Sequence, residues 1–226
     1  MKKYAIIVAG GEGKRMNHPV PKQFHLLAGK PVLFYSVDAF LRSYPHMQVI
    51  LVLPESKISA GQEIIDAYFN YDRVRITVGG RTRFHSVQNG LKLVEGDAVV
   101  MVHDAVRCLV TTALIERCYE AVLQFGSAIP VVDCRDSLRV VNEDGNTALD
   151  RDSVKLVQTP QAFYSKIILP AFEIDYKERF TDEASVAEGF GIKVHLIPGE
   201  EENIKLTRPA DLTYAEMLLA SRTVNP

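Results

Sequence analysis

Short runs of β-branched and aliphatic residues alternate along this chain with longer segments whose apolar positions recur every three or four residues. The first kind predicts strands at Ala5–Val8, Val49–Leu53, Val74–Val78, Val99–Val102, Ala128–Val132 and Val194–Ile197. The second predicts helices at Val32–Ser43, Ile58–Asn70, Arg83–Leu93 and Thr112–Phe125, then at Ser165–Phe172, Asp182–Phe190 and Arg208–Ala220. Pro209 falls in the opening turn of the last helix, where a missing N–H does no harm. Strands separated by helices in this way imply an α/β fold with a mainly parallel sheet covered on both faces. In open sheets of that type, ligands sit beyond the carboxyl ends of the strands.

One segment breaks the rhythm. Cys134–Val157 carries strand-like arms around Asn142-Glu143-Asp144-Gly145-Asn146, and Asp-Gly between such arms is a hairpin signal. It has little apolar surface to bury against its own domain, and an isolated hairpin is marginal in water. The expectation is a projecting arm that packs on a second subunit.

The 226 residues are enough to bury one substantial core, and the formal net charge of −2 argues against gripping nucleic acid through a basic surface. No apolar stretch approaches the ~20 residues of a membrane span, and the start of the chain shows no signal-peptide pattern. Cys108, Cys118 and Cys134 are odd in number and widely separated, forming neither a zinc pattern nor a disulfide framework. That usage suits a reducing cytoplasm. The six histidines lack ligand spacing, and none is assigned to a metal.

The chemistry starts where the first strand ends. Ala9-Gly10-Gly11-Glu12-Gly13-Lys14-Arg15-Met16 is followed by Pro21-Lys22-Gln23. Glycines let consecutive N–H groups point at one anion, and Arg15 and Lys22 add fixed positive charge for oxygens that gain charge in phosphoryl chemistry. The loop suits a nucleoside triphosphate. It is not a dinucleotide fingerprint, because Met16 stands where the third glycine belongs. Nor is it a Walker loop, because Arg15 follows Gly13-Lys14. An ordinary Gly-rich turn is the other reading, although a turn has no use for Arg15 and Lys22.

Gly79-Gly80, followed by Ser86, offers a backbone-lined wall of a size to admit a pyrimidine, and equally an ordinary turn before a helix. Asp104, at a strand's carboxyl end, can hold Mg²⁺ with triphosphate oxygens, and Arg107 can clamp a second substrate's phosphate. A structural Asp104–Arg107 pair is the alternative. Thr159 and Thr181 offer hydroxyls, Thr181 being also suited to cap a helix, and Lys205 sits in the apolar run Ile204–Leu206.

Taken in order, these motifs carry a resemblance. Ala9-Gly10-Gly11-x-Gly13-x-Arg15-Met16, Pro21-Lys22-Gln23, Gly79-Gly80-x-x-Arg83-x-x-Ser86-Val87, Asp104-Ala105-x-Arg107 and Thr159-Pro160-Gln161 resemble the 2-C-methyl-D-erythritol 4-phosphate cytidylyltransferases. Thr181-Asp182-Glu183-Ala184-Ser185 and Asn203-Ile204-Lys205-x-Thr207-Arg208-Pro209 extend it to the last helix. The ribitol-5-phosphate cytidylyltransferases share the loop and Thr-Pro-Gln, whereas the last two motifs are more similar to the methylerythritol branch.

The resemblance implies a single Rossmann-like nucleotidyltransferase domain over residues 1–226. It also implies a homodimer joined by arms at about 134–157, and Mg²⁺-dependent cytidylyl transfer from CTP to methylerythritol phosphate in isoprenoid precursor synthesis. By matched position, Arg15 and Lys22 would stabilise the pentacoordinate α-phosphate. Ala9, Gly10, Gly11, Gly13, Gly80 and Ser86 would bind the nucleotide, and Asp104 would lie between metal, ribose and sugar phosphate. Arg107, Thr159, Thr181 and Lys205 would hold the acceptor, joined by Ser137 and Arg151 from the partner's arm. The chain departs from the family's common residues at Cys108 (often Pro), Ser137 (often Thr), and Arg81 and His85 (often acidic).

The implied mechanism is direct in-line attack by the acceptor's phosphate, which is already anionic and needs no general base. A non-catalytic nucleotide-binding module would keep the glycines but tolerate loss of Arg15, Lys22 or Asp104, and all three are present. A nicotinamide oxidoreductase is disfavoured by Met16.

Overall fold

The apolar runs at residues 2–8, 47–53 and 98–104 form strands whose interior positions are shut off from water, so each needs cover on both faces. The computed structural model describes residues 1–10, 21–69 and 71–224. In chain order its elements are β1 (Lys2–Val8), β2 (Leu26–Leu27), β3 (Lys30–Pro31), α1 (Val32–Ser43), β4 (Met47–Leu53), α2 (Ile58–Tyr68), β5 (Val74–Val78) and α3 (Arg83–Leu91). There follow β6 (Ala98–Asp104), α4 (Thr112–Phe125), β7 (Ser127–Asp133), β8 (Leu138–Asn142), β9 (Gly145–Leu149), β10 (Lys155–Val157), β11 (Gln161–Tyr164), α5 (Ser165–Ala171), α6 (Glu183–Gly189), β12 (Leu196–Pro198) and α7 (Pro209–Val224).

The main sheet runs β10-β7-β11-β6-β1-β4-β5, with β12 pairing on β7. Strands β5, β4, β1 and β6 are parallel, as their interleaved helices require. Beyond β6 the sheet is mixed: β11 slots between β6 and β7 antiparallel to both, and β10 is antiparallel to β7. The sequence expectation of a mainly parallel sheet holds for the β5-β4-β1-β6 core and for the β12–β7 pair, the antiparallel strands being β10 and β11. The reason is connectivity. The chain returns from the hairpin antiparallel to β7 as β10, and residues 158–160 carry it on in the same direction into β11, which therefore lies antiparallel to β7 and to β6.

Alternating side chains of β1 serve two cores. Ala5 and Ile7 pack with α1, α2 and α4, while Tyr4 and Ile6 pack with α3, α5 and α6. Helix ends follow local chemistry: Thr111 caps α4 by accepting from Leu114 N–H, and Gly126 ends it at φ 85°. Helix α2 stops at Tyr68 and α3 at Leu91, short of the expected Asn70 and Leu93. Asn70 lies outside the described residues.

Strands β8 and β9 form their own two-stranded sheet, turning at Asn142–Gly145, and every residue of β9 is exposed. The excursion closes where it began, since Lys155 pairs with Asp133 in backbone register and by a side-chain ion pair.

Helix α3 lies close on the sheet at Gly90, where an added Cβ would stand 2.7 Å from Ile6 Cγ2 and 3.2 Å from Val52 Cγ2. Those branched side chains are fully buried and have no room to yield. Gly90→Ala gains helix propensity but overpacks this contact. The expected net loss is about 1–2 kcal/mol, read by urea unfolding. A variant as stable as the parent would show that α3 is free to shift.

Candidate functional site

The strand order reverses beside β1: the chain moves outward through β4 and β5, then returns to the other side at β6. Carboxyl ends of β1 and β6 therefore open on one crevice. Register pairs Val8 with Asp104, and Ala105 N–H donates to the Val8 carbonyl at 3.0 Å. This sets the Ala9-Gly10 loop beside the strand-end carboxylate. A cavity of about 350 Å³ lies there, lined among others by Gly10, Lys22, Gly80, Arg83, Asp104 and Lys205.

Each wall has a local cause. Thr82 caps α3 by accepting from His85 N–H at 3.4 Å, which places Arg83 at the first helical position. Ser86 Oγ donates to the Thr82 carbonyl at 2.9 Å and accepts from Gly80 N–H at 3.1 Å, folding the Gly79-Gly80 turn over the helix start. Gly80 has no substitute there, because a Cβ would lie 2.3 Å from His85 Cβ and 2.9 Å from its backbone carbon. On the facing wall, Gln23 Nε2 donates to the Ala9 carbonyl at 2.7 Å, and Lys22 Nζ to the Leu206 carbonyl at 2.7 Å. Leu206 N–H in turn donates to Val106, so three loops are tied together.

At the centre, Asp104 has two cationic partners. Arg83 Nε donates to Oδ1 at 3.1 Å and Lys205 Nζ reaches Oδ2 at 2.7 Å. Burial alone would raise the Asp104 pKa, but the Arg83 and Lys205 charges outweigh it and hold the carboxyl well below the usual range. Arg83 also grips Glu183, a residue of 0% exposure, with Nη1–Oε1 at 2.5 Å and Nη2–Oε2 at 3.1 Å. Burial pushes the Glu183 pKa up, against the downward pull of Arg83. The first turn of α6 is fixed by Gln161, whose amide accepts from Ala184 N–H and donates to Asp182.

Behind Asp104 lies His103, at 0% exposure. Its Nε2 is 3.1 Å from the Arg107 carbonyl and its Nδ1 3.0 Å from Thr159 Oγ1. Burial drives its pKa down to about 4, and the nearby Arg107 charge works in the same direction against the pull of Asp104.

The structure places the candidate residues unequally. Ala9, Gly10, Lys22, Gly80, Ser86, Asp104 and Lys205 all line the cavity, whereas Gly11, Gly13 and Arg15 lie outside the described residues. Arg107 does not pair with Asp104 as the structural alternative supposed. Its guanidinium donates to the carbonyls of Asn203 (2.7 Å) and Val157 (3.3 Å). Thr159 is buried, with its hydroxyl engaged by His103 and by Asp104 N–H. Thr181 is exposed, and the cap of α6 is Asp182 rather than Thr181. The Asp182 carboxylate accepts from Ser185 N–H, and the Ser185 hydroxyl takes Asp182 N–H in a capping box. Ser137 and Arg151 are exposed at the foot of the β8–β9 hairpin, away from this chain's cavity lining. Cys108 is buried, and burial lifts its thiol to about 12, as expected of an inert cysteine.

Sequence reasoning assigns no role to Arg83, Glu183 or His103. Arg83 and Glu183 stand inside quoted motifs, but their pairing spans 100 residues and has no local signal.

Comparison with known proteins agrees along the whole chain. Residues 4–221 match the family model described as IspD: 2-C-methyl-D-erythritol 4-phosphate cytidylyltransferase. A protein of that name from Phocaeicola vulgatus is 44% identical over 219 residues, covering 97% of this chain and 100% of the relative. One from Porphyromonas gingivalis is 45% identical, covering 97% and 99%. Among solved structures, 4-diphosphocytidyl-2C-methyl-D-erythritol synthase from Anaerococcus prevotii superposes with a TM-score of 0.82 at 27% identity, covering 97% of this chain and 98% of that one. The Francisella tularensis cytidylyltransferase superposes at 0.79 and 30% identity, covering 96% and 99%.

The His103 environment has a pH consequence. Its folded pKa of about 4 lies below the ordinary 6.5, so the unfolded chain takes up the proton first. Stability from the neutral ring is complete above pH 6.5 and declines as pH falls toward 4. Between pH 7 and 5 the loss amounts to about 2 kcal/mol. Asp104 adds nothing in that window, being ionised in both states. Because Glu183 and His85 are also shifted from their ordinary values, the contribution is read by difference: urea unfolding should show the parent losing about 2 kcal/mol more than His103→Leu between the two pH values. An unchanged slope in the variant would assign the effect elsewhere.

Proposed function

This chain belongs to the 2-C-methyl-D-erythritol 4-phosphate cytidylyltransferase family, and on that premise we propose how its residues carry out the reaction. The enzyme synthesises CDP-methylerythritol for isoprenoid precursors. The cytidylyl group of CTP passes to the 4-phosphate of methylerythritol phosphate, and pyrophosphate leaves. The observation that carries the residue assignment is the charge of the crevice. Among the described residues, Lys22, Arg81, Arg83 and Lys205 line it against a single carboxylate, Asp104.

A phosphate monoester is already a nucleophile near neutral pH, so catalysis reduces to alignment and charge stabilisation. Gly10 and the Gly80–Ser86 turn form a close backbone wall for the cytosine and ribose. Lys22, with Arg15 seven residues before it in sequence, stabilises the α-phosphate as charge builds in the pentacoordinate state. Lys205 is held in place by Asp104 until the acceptor's phosphate competes for it, and Arg107 supplies a second cation for that phosphate. Thr181, at the rim, offers the acceptor a hydroxyl.

The reading includes Mg²⁺. Among the described residues, Asp104 is the sole carboxylate lining the cavity, and no cluster of three His, Cys, Asp or Glu side chains gathers. Magnesium keeps water and substrate phosphates as most of its ligands and needs only one or two carboxylates. The donor set therefore fits an ion carried largely by the triphosphate, with Asp104 as the protein's contribution. When bound, the ion neutralises triphosphate charge and favours departure of pyrophosphate. Cytoplasmic location belongs to the same reading, and among the described residues no helix is long and apolar enough to cross a membrane.

The reading extends to a homodimer. Val141 is 78% exposed and Val140 47% on a hairpin that, among the described residues, pairs with no strand of the main sheet. Apolar side chains in that position call for cover. Crossing to a second subunit would bring Ser137 and Arg151 to the partner's crevice, where Arg151 would meet the acceptor's phosphate.

Two experiments test this. Pyrophosphate release should be rapid with CTP, methylerythritol phosphate and Mg²⁺, and far slower with ribitol 5-phosphate or purine triphosphates. Equal turnover of ribitol 5-phosphate would overturn the acceptor assignment. For the arm, Arg151→Ala and Lys205→Ala homodimers should each be weak. Mixed dimers would hold one doubly damaged site and one intact site, restoring up to about half of parental activity. Absence of recovery in mixed dimers verified by mass spectrometry would remove Arg151 from the partner's site.

A further inference from the structure

Strand β6 is apolar and buried from Ala98 to Val102, then carries one polar ring before Asp104. That ring, His103, also meets Phe40 of α1 edge-on at 5.2 Å. An aliphatic side chain would satisfy packing there, and burying an imidazole is unfavourable unless its nitrogens are bonded. Both are bonded, and the partners leave one arrangement. The Arg107 carbonyl can only accept, so Nε2 carries the ring proton. Nδ1 is then an acceptor, and the Thr159 hydroxyl must donate to it. That hydroxyl's lone pairs remain for Asp104 N–H at 3.1 Å. Donation therefore runs one way throughout, from Asp104 to Thr159, from Thr159 to His103, and from His103 to Arg107. A turn closes the circuit on the other side, where Arg107 N–H donates to the Asp104 carbonyl at 2.9 Å.

We infer that His103 is a positioning residue for cytidylyl transfer: through Thr159 it fixes the backbone at Asp104, and through Nε2 the backbone at Arg107. The nucleotide end and the acceptor end of the site thus keep one spacing. The inference rests on the roles proposed above for Asp104 and Arg107. No smaller amide replaces the ring. Asparagine offers an acceptor near the place of Nδ1 and glutamine a donor near that of Nε2, but neither spans both. The ring passes no proton during the reaction, and its contribution is geometric.

Steady-state kinetics on Thr159→Val, His103→Gln, His103→Asn and the Thr159→Val/His103→Gln double variant test the inference. Asp104→Asn and Arg107→Lys serve as references. The first two variants break the link to Asp104 and should each lower kcat about tenfold, with KM for CTP within about twofold of the parent. The double variant should be no slower than either single, because both changes cut the same link. His103→Asn keeps the acceptor for Thr159 and loses the tie to Arg107, so it should raise KM for methylerythritol phosphate more than it lowers kcat. Multiplying losses in the double variant, or parental kcat in Thr159→Val and His103→Gln, would overturn the inference while leaving the site assignment intact. Full activity in Asp104→Asn and Arg107→Lys would overturn both. Should the His103 variants fail to fold, ¹⁵N spectra of the parent's imidazole decide the matter. A protonated Nε2 and a bare Nδ1 are expected, and the opposite tautomer would refute the donor order.

Discussion

Arg83 lies between two carboxylates that differ in exposure, and much of the site follows from how it divides its donors. Glu183 has no access to water, so its charge is tolerable only while the guanidinium stays bidentate upon it. Removing Arg83 would strand the Glu183 charge, at a cost of about 3–5 kcal/mol. The Nε donor left over points at Asp104 and fixes one of its oxygens. Asp104 then holds Lys205 with the other. Three segments distant in sequence, the start of α3, the end of β6 and the loop before α7, thereby acquire a defined spacing.

This dependence explains features that are not themselves in the cavity. Gln161 pins the first turn of α6 through both atoms of its amide, and the Asp182–Ser185 capping box locks the same turn. Both keep Glu183 where Arg83 needs it. Gln158 and Asn203 do comparable work for the loop that carries Lys205: Gln158 bonds Glu200 in both directions, and Asn203 donates to the Thr159 carbonyl. Polar residues buried in these places specify geometry where apolar ones would only add cohesion.

Much of the fold was legible because its signals are local. Apolar runs marked the parallel core, Asp144-Gly145 marked the hairpin, and Ala9-Gly10 marked the end of β1 that opens on the cavity. What escaped was non-local. Nothing in Gln161–Tyr164 announces that it will lie antiparallel between β6 and β7, since that depends on the short return from β10. Thr181 and Asp182 are both good caps, and only the reciprocal bonds of Ser185 decide between them. Thr159 shows a hydroxyl in sequence, but its partners, His103 and Asp104, lie more than fifty residues away. The roles of Arg83 and Glu183 are of the same kind, because neither charge has meaning until the other is placed.

The closure of the hairpin at Asp133 and Lys155 has a consequence for how such a protein can change over generations. Because the excursion leaves and re-enters the sheet at neighbouring backbone positions, residues 134–154 form a cassette. Insertions, deletions or wholesale replacement within it leave every strand register on either side untouched. On the proposed reading, part of the acceptor site rides on that cassette while the nucleotide site is built into the sheet. A lineage can therefore alter what receives the cytidylyl group by editing a detachable loop, under selection largely separate from that acting on the donor.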